Sequence, residues 1–327
     1  MQNPNDFIRK QMKYFFLIGA DTVEGVSPSV TADEIASVCR ERGCDYSIFR
    51  TEFLGEEEEI VHYLANKYPD RPLRIVVCGT LANLHFAANG AVGVPGIEVG
   101  YRPCDGENPF LDDFSPDIKI VNALPEKSVD VDLIKINERY CIGGAVLGFD
   151  PRIERIRKRL FAWKKFLSHF RIPETAFLRL NRIVSPLLHS SAKRVRFCVN
   201  GHETIEENIL YALLANTRKS VEGYPAPVRA RIDDGLIDLF FTRKMSLRTI
   251  PAFGWDPYRE GAEDERTRNG IKHRRCLTVE VELAEPSVMV MDGTRYLYDS
   301  RFHIAIRPAA LKMLIPERND FCSHGQS

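Results

Sequence analysis

Leu73-Arg74-Ile75-Val76-Val77-Cys78-Gly79 is the stretch on which the fold turns. Five of its seven side chains are apolar and they do not alternate with polar ones. A half-solvated strand would alternate; a continuous run rich in Val and Ile marks a strand buried on both faces of a parallel sheet. Gly79 then turns the chain toward a helix ending near Asn89. Outward from this strand the same alternation of strand and helix holds from Lys13 to about Leu124. Tyr14 to Ile18 reads as a strand. Thr31-Ala32-Asp33-Glu34 is a capping box opening a helix that ends near Gly43. Tyr46 to Phe49 is the second strand, and Glu56 to Glu59 open the next helix, where negative charge complements the N-terminal dipole and Ile60 and Leu64 supply an apolar face. A solvated first turn explains these four glutamates better than a metal-binding carboxylate cluster does. This half is doubly wound. Such sheets take ligands at the carboxyl ends of their strands, which directs attention to the turns after Cys78 and after Tyr101.

After about Val129 the periodicity changes. Val131, Leu133 and Ile136 lead into a hairpin around Asn137-Glu138, and short strands follow near 195–200, 209–216, 236–242, 276–283, 301–306 and 311–315. That pattern predicts an antiparallel β domain. A helical insertion from Arg152 to about His189, broken by Pro173 and Pro186, interrupts it. The expected organisation is an α/β domain over residues 1–128 followed by an antiparallel β domain over 129–327, with the insertion at 152–189. The polar residues from Glu317 onward are expected to fray.

Composition narrows the function classes. Lys plus Arg number 45 and Asp plus Glu number 45, so the global positive field that nucleic-acid binding needs is missing, and no nucleic-acid partner is expected. The apolar run Tyr14 to Ala20 is too brief for a signal peptide or a membrane span, which points to the cytoplasm. The cysteines number 8 but are scattered singly, and structural zinc wants closely spaced pairs, so reduced and mostly buried thiols are expected. The histidines show no H-E-x-x-H spacing. His85, on a helix near the turn after Cys78, reads better as a partly buried core residue than as a ligand. Neither a G-x-S-x-G elbow nor a G-x-x-x-x-G-K-[ST] loop is present, which removes the hydrolase and P-loop readings.

Four segments of the second half, in their order and spacing, resemble the diacylglycerol kinase catalytic family, which includes bacterial lipid kinases and sphingosine kinases. They are Val131 to Asn137 running into Gly148-Phe149-Asp150; Ala215-Asn216; Ala230-Arg231-Ile232-Asp233-Asp234-Gly235-Leu236-Ile237-Asp238; and Met291-Asp292-Gly293 followed by Pro308 to Pro316. The likeness runs over roughly 13–316. It implies a nucleotide domain related to those of NAD kinases and phosphofructokinases, a β-sandwich domain, and an active site between them. It implies Asp292 as general base on a lipid hydroxyl, although Thr294 stands where relatives carry glutamate. It also implies a structural Mg²⁺ held by the Asp234 carboxylate with carbonyls of Arg231 and Leu236, an oxygen-only set that suits a hard cation. The same Asp-Asp-Gly is ordinary hairpin chemistry as well, and from the residues alone both readings stand.

The nucleotide motifs depart from the family. Counted back from Asn89-Gly90, the second motif falls on Gly79-Thr80-Leu81-Ala82-Asn83, with Leu81 where an aspartate belongs. The third has become Pro103-Cys104-Asp105-Gly106-Glu107-Asn108-Pro109-Phe110, with acids in place of both loop glycines. The first has become Gly19-Ala20-Asp21-Thr22-Val23-Glu24-Gly25. Glycine serves phosphate loops because it takes positive φ and lets backbone N–H groups approach the anion. A carboxylate about 4 Å from a phosphate charge costs roughly 4 kcal/mol at an effective dielectric near 20, or about three decades of affinity. Gly79, Thr80, Asn83 and Asn108 remain the cofactor-binding candidates, but the motif set favours an eroded ATP site with weak or absent kinase activity. The alternative is an active ATP-dependent lipid kinase using Asp292. NAD kinase fits less well.

Residues 152–171 carry eight Lys and Arg against a single Glu154, interleaved with aromatic and aliphatic side chains. Arg155, Arg159, Trp163 and Lys164 are the candidates for contact with a lipid or membrane surface, where each basic residue contributes about 1 kcal/mol. Peripheral membrane association follows from that reading. A helix packing its apolar stripe on the sandwich with a solvated basic face explains the residues equally. Relatives sometimes pair as homodimers, and no feature of this sequence picks out an interface.

Overall fold

A computed structural model describes residues 13–19, 32–69, 71–103, 127–148, 193–217, 230–243, 271–293 and 295–315. The insertion at 152–189, with Arg155, Arg159, Trp163 and Lys164, lies outside the described residues, as do Asn108, Asp105, Glu107, Asp21, Glu24 and Thr294. The described chain divides into two compact units. One comprises residues up to Asp132 and from Ala309 onward; the other is Leu133–Pro308. The first unit thus takes back the end of the chain, which a single cut near residue 128 does not provide for.

The first unit is built on parallel strands β1 (Lys13–Ile18), β2 (Asp45–Arg50), β3 (Leu73–Gly79) and β4 (Ile97–Pro103), in the order β2-β1-β3-β4. The far end of a last strand, β13 (Arg295–Ile315), adds to β4 in parallel through Lys312, Met313 and Leu314. Because side chains alternate faces along a strand, Tyr14, Phe16 and Ile18 share one face with Val76 and Cys78. They pack there with Leu314 and with Ile35 and Cys39 of helix α1 (Ala32–Arg42). Phe15, Leu17, Ile75 and Val77 point the other way and are equally buried. Both faces are covered, as the apolar run predicts. Helices α2 (Glu56–Lys67) and α3 (Leu81–Ala91) pack on each other at Gly90, where a Cβ would lie 3.0 Å from the Glu58 carbonyl oxygen and the Val61 Cβ. That glycine lets the two helices approach closely.

The second unit is antiparallel: β5 (Lys127–Ile136, which starts in the first unit), β6 (Arg139–Cys141), β7 (Gly144–Leu147), β8 (Lys193–Val199), β9 (Glu203–Ala215), β10 (Ile237–Arg243), β11 (Ile271–Cys276), β12 (Thr278–Met291) and most of β13. Two long strands organise it. β9 and β12 are both bridged by β8 along one half and by β7 along the other. The chain therefore wraps around one apolar core containing Phe197, Phe241, Phe302, Leu239, Val281 and Met289. The hairpin at Asn137-Glu138 is present, with Asn137 at φ 51° and its side chain accepting the His303 N–H. Several strands exceed their expected bounds: β9 begins at Glu203, β12 runs on to Met291, β13 is continuous across Pro308, and β11 precedes the strand expected at 276–283.

Candidate functional site

In the first unit the carboxyl ends of β1 and β3 meet the start of α3. β3 ends at Gly79, Thr80 is the N-cap, and Leu81 is already helical. No loop separates strand from helix, so Leu81, Ala82 and Asn83 form a first helical turn and not a phosphate loop. The helix supplies its own cap: Asn83 Oδ1 accepts the Thr80 N–H and the Thr80 hydroxyl, both at 2.8 Å, completing a capping box. Asn83 Nδ2 donates to Glu57 Oε1 at 2.6 Å. Glu57, fully buried, also accepts the Thr51 hydroxyl at 3.1 Å and, through Oε2, the Gly55 N–H at 2.9 Å. The four glutamates of α2 are thus not one solvated first turn. Glu57 alone turns inward, because Thr51, Gly55 and Asn83 supply the donors a buried carboxylate needs.

The glycines of this corner serve Asn83. A Cβ on Gly19 would lie 2.6 Å from the Asn83 carboxamide, and one on Gly79 would lie 2.5 Å from its Oδ1. Glycine admits a close neighbour at both places, as it does in a phosphate grip. The neighbour here is a buried amide side chain held by Glu57. His85 lies on the buried side of α3, edge-on to Phe86 and near Asn89, as expected of a core histidine.

In the second unit, Asp292 follows β12 in a left-handed turn with Gly293 (φ 46° and 72°). Its side chain is buried. Oδ1 accepts the N–H groups of Gly143 at 2.8 Å and Gly144 at 3.3 Å, and Oδ2 accepts that of Ile142 at 3.0 Å. Asn216 holds the same segment by its carbonyls: the Asn216 N–H donates to Gly143 and Nδ2 to Ile142. Two residues of the recognised motifs therefore grip residues 142–144 from both sides. Gly144 must be glycine, since at φ 152° its Cβ would lie 2.2 Å from the Leu214 carbonyl oxygen. Gly148, from the same motif set, is required likewise beside the Leu210 carbonyl.

The Asp-Asp-Gly turn sits just before β10. Asp234 Oδ1 accepts the Leu236 N–H at 3.1 Å and Oδ2 accepts Arg275 Nη2. Arg231 reaches Asp233 through Nε and Nη2 at 3.0 and 3.2 Å. The Leu236 N–H is thus directed at the Asp234 carboxylate. Sequence reasoning quoted Asp238 within the motif but missed Arg275 and His273 as parts of this cluster, because β11, which carries both, is a basic run without apolar periodicity. Among the described residues no group of three or more His, Cys, Asp or Glu side chains is arranged to hold a metal ion. Burial pushes the Cys78 thiol up to about 12 and the Cys39 thiol to about 11. The Cys276 thiol also reaches about 12, through burial and then the charges of Asp238 and Glu203. The thiols of this molecule are inert where they are buried. No helix among the described residues is long and apolar enough to cross a membrane.

No protein-family model and no curated protein matches the sequence. Solved structures do. A diacylglycerol kinase from Bacillus anthracis str. Sterne superposes with a TM-score of 0.62 at 17% identity, covering 92% of this chain and 96% of that one. Two further structures from that organism, provisionally described as diacylglycerol kinases, reach TM-scores of 0.65 and 0.64 at 16% and 15% identity with the same coverage. The chain has the lipid-kinase fold, an α/β unit joined to a β unit, over nearly its whole length.

Proposed function

We propose that this chain is a lipid-kinase-fold protein that engages a lipid or a membrane surface and has weak or absent ATP-dependent phosphotransferase activity. The observation that carries the reading is the Asn83–Glu57 network at the start of α3. In a fold of this kind a nucleotide phosphate would be sought at a helix N-terminus facing glycines. Here the Asn83 carboxamide lies against Gly19 and Gly79, the helix is capped by its own side chains, and a buried carboxylate stands behind the cap. An anion entering this corner would have to displace a satisfied buried amide and approach Glu57. Phosphoryl transfer depends on positioning and charge stabilisation, so a spoiled phosphate grip removes most of what such a protein contributes to rate. The lipid side rests on the basic and aromatic composition of residues 152–171.

Calorimetric titration of the full chain with Mg-ATP tests the nucleotide half, with no heat of binding expected in the micromolar range. Flotation with vesicles of phosphatidylglycerol against neutral phosphatidylcholine tests the lipid half, with recovery expected on the anionic vesicles and lost in high salt. Micromolar nucleotide binding together with phosphate incorporated into a lipid hydroxyl would overturn the proposal.

A further inference from the structure

Three carboxylates, Asp233, Asp234 and Asp238, crowd the turn leading into β10. Asp233 has Arg231 as its partner. The other two share Arg275, whose Nη2 donates to Asp234 and whose Nε lies 3.7 Å from Asp238 Oδ1. The pairing follows from sheet register: Asp238 of β10 lies directly opposite Arg275 of β11, and His273, two residues before it, lies opposite Phe240. Cross-strand neighbours on one face meet without any loop having to be ordered. The His273 ring stacks on Phe240 at 4.2 Å and places Nε2 2.6 Å from Asp238 Oδ1. Asp238 is fully buried, and among the described residues its Oδ2 has no hydrogen-bond partner.

A buried carboxylate needs a counter-charge held at fixed geometry. A guanidinium provides it in a form a bare cation cannot, because its planar fork reaches two acids at once and is charged at every working pH. We propose that Arg275 is the resident counter-cation of this turn, standing in for the divalent ion that the lipid-kinase resemblance places on Asp234, so that the turn is metal-independent. A divalent ion on Asp234 would have to expel the guanidinium from Oδ2 and then leave Arg275 and Asp238 to find new partners. This inference does not depend on the proposed loss of kinase activity.

The test is thermal unfolding of the full chain in chelator and in millimolar MgCl₂ or CaCl₂, with metal content read by plasma mass spectrometry. The native protein is expected to carry no stoichiometric divalent ion and to melt within about 1 °C in all three conditions. Arg275→Met, which removes the guanidinium from both acids, is expected to melt lower and to recover by about 3–6 °C when Mg²⁺ or Ca²⁺ is added. Arg275→Lys keeps the charge and is expected to fold and stay indifferent to metal, which supplies the informative variant should the methionine one not fold. Three results would overturn the inference: a stoichiometric metal in the native protein that Asp234→Asn releases, a native melting point that falls in chelator, or a lysine variant stabilised by Mg²⁺. A folded Arg275→Met protein that melts with the native one and ignores metal would do the same.

Discussion

Asp292→Asn separates a clamp from a base. The native carboxylate accepts three backbone N–H groups, two on Oδ1 and one on Oδ2, in a buried setting. Asparagine has the same shape but one acceptor oxygen and one donor. Its least costly placement keeps the oxygen on Gly143 and Gly144 and turns the NH₂ toward the Ile142 N–H, so that two donors face each other. A buried unsatisfied N–H costs about 1–3 kcal/mol, and replacing charge-assisted bonds with neutral ones on the other two adds about 0.5–1 kcal/mol each. The sum is about 2–5 kcal/mol. For a domain of about 150–250 residues each kcal/mol moves Tm by about 2–4 °C, so the variant is expected to melt about 4–20 °C below the native protein. Differential scanning calorimetry at neutral pH measures it directly. A residue serving only as general base would behave oppositely, with turnover lost and Tm unchanged. A melting point within about 2 °C of native, accompanied by loss of lipid phosphorylation, would refute the clamp and restore Asp292 as the base.

Gly144→Ala must push a Cβ into the Leu214 carbonyl at a φ that L residues rarely adopt, and is expected to cost at least about 3 kcal/mol or abolish folding, read by chemical denaturation. Glu57→Gln sets an NH₂ against one of the donors now satisfied by Glu57 and is expected to lose about 2–4 kcal/mol without creating micromolar ATP affinity; an unchanged denaturation midpoint would show that the Asn83 network contributes nothing. Native-state alkylation at pH 8, mapped by peptide mass, is expected to spare Cys39, Cys78, Cys141 and Cys276, which become reactive only on unfolding. Because Cys78 and Cys276 are raised to about 12 in the folded state, they hold protons more tightly there than in the unfolded chain. Their contribution to stability is therefore complete below about pH 9 and lost as pH rises from 9 toward 12, which pH-dependent denaturation midpoints would record.

The parallel half was legible because burial on both faces leaves an unbroken apolar run, and β1 and β3 fall within a residue of their expected bounds. The β half was legible where strands feed the core and not where they are solvated. The first half of β9 alternates partly buried Glu203, Ile205 and Glu207 with exposed Thr204, Glu206 and Asn208, and β11 is basic at four of its six positions; these two polar stretches stabilise each other through Lys272–Glu207 and Arg274–Glu203 pairs that no local pattern reveals. The expected segments 276–283, 301–306 and 311–315 stop short of Pro286 and Pro308, which the long strands run through. Pro286 falls at the register shift between Glu282 and Ser287, and Pro308 precedes Ala309 at φ 50°, places where the ladder is already irregular and no N–H is missed. Asp292 and Asn216 were picked out by resemblance, but their partners lie 148–150 and 74 residues away in sequence, a distance over which only the fold can bring donor and acceptor together.

Glu57, Asp234 and Asp292 share one physical situation. Each carboxylate accepts its hydrogen bonds from donors the protein itself supplies: Thr51, Gly55 and Asn83 for the first, Leu236 and Arg275 for the second, and the amides of 142–144 for the third. A carboxylate that is to bind a metal-nucleotide or take a substrate proton has to keep an acceptor site for that partner, whereas one with fixed internal donors gains rigidity at the expense of exchange. Gly19 and Gly79 show the same turn of use, since close approach is reserved there for Asn83. On the proposed loss of the ATP site, no empty or weakened corner follows: side chains of the protein make bonds that phosphate and metal would otherwise have made, and the fold keeps its stability.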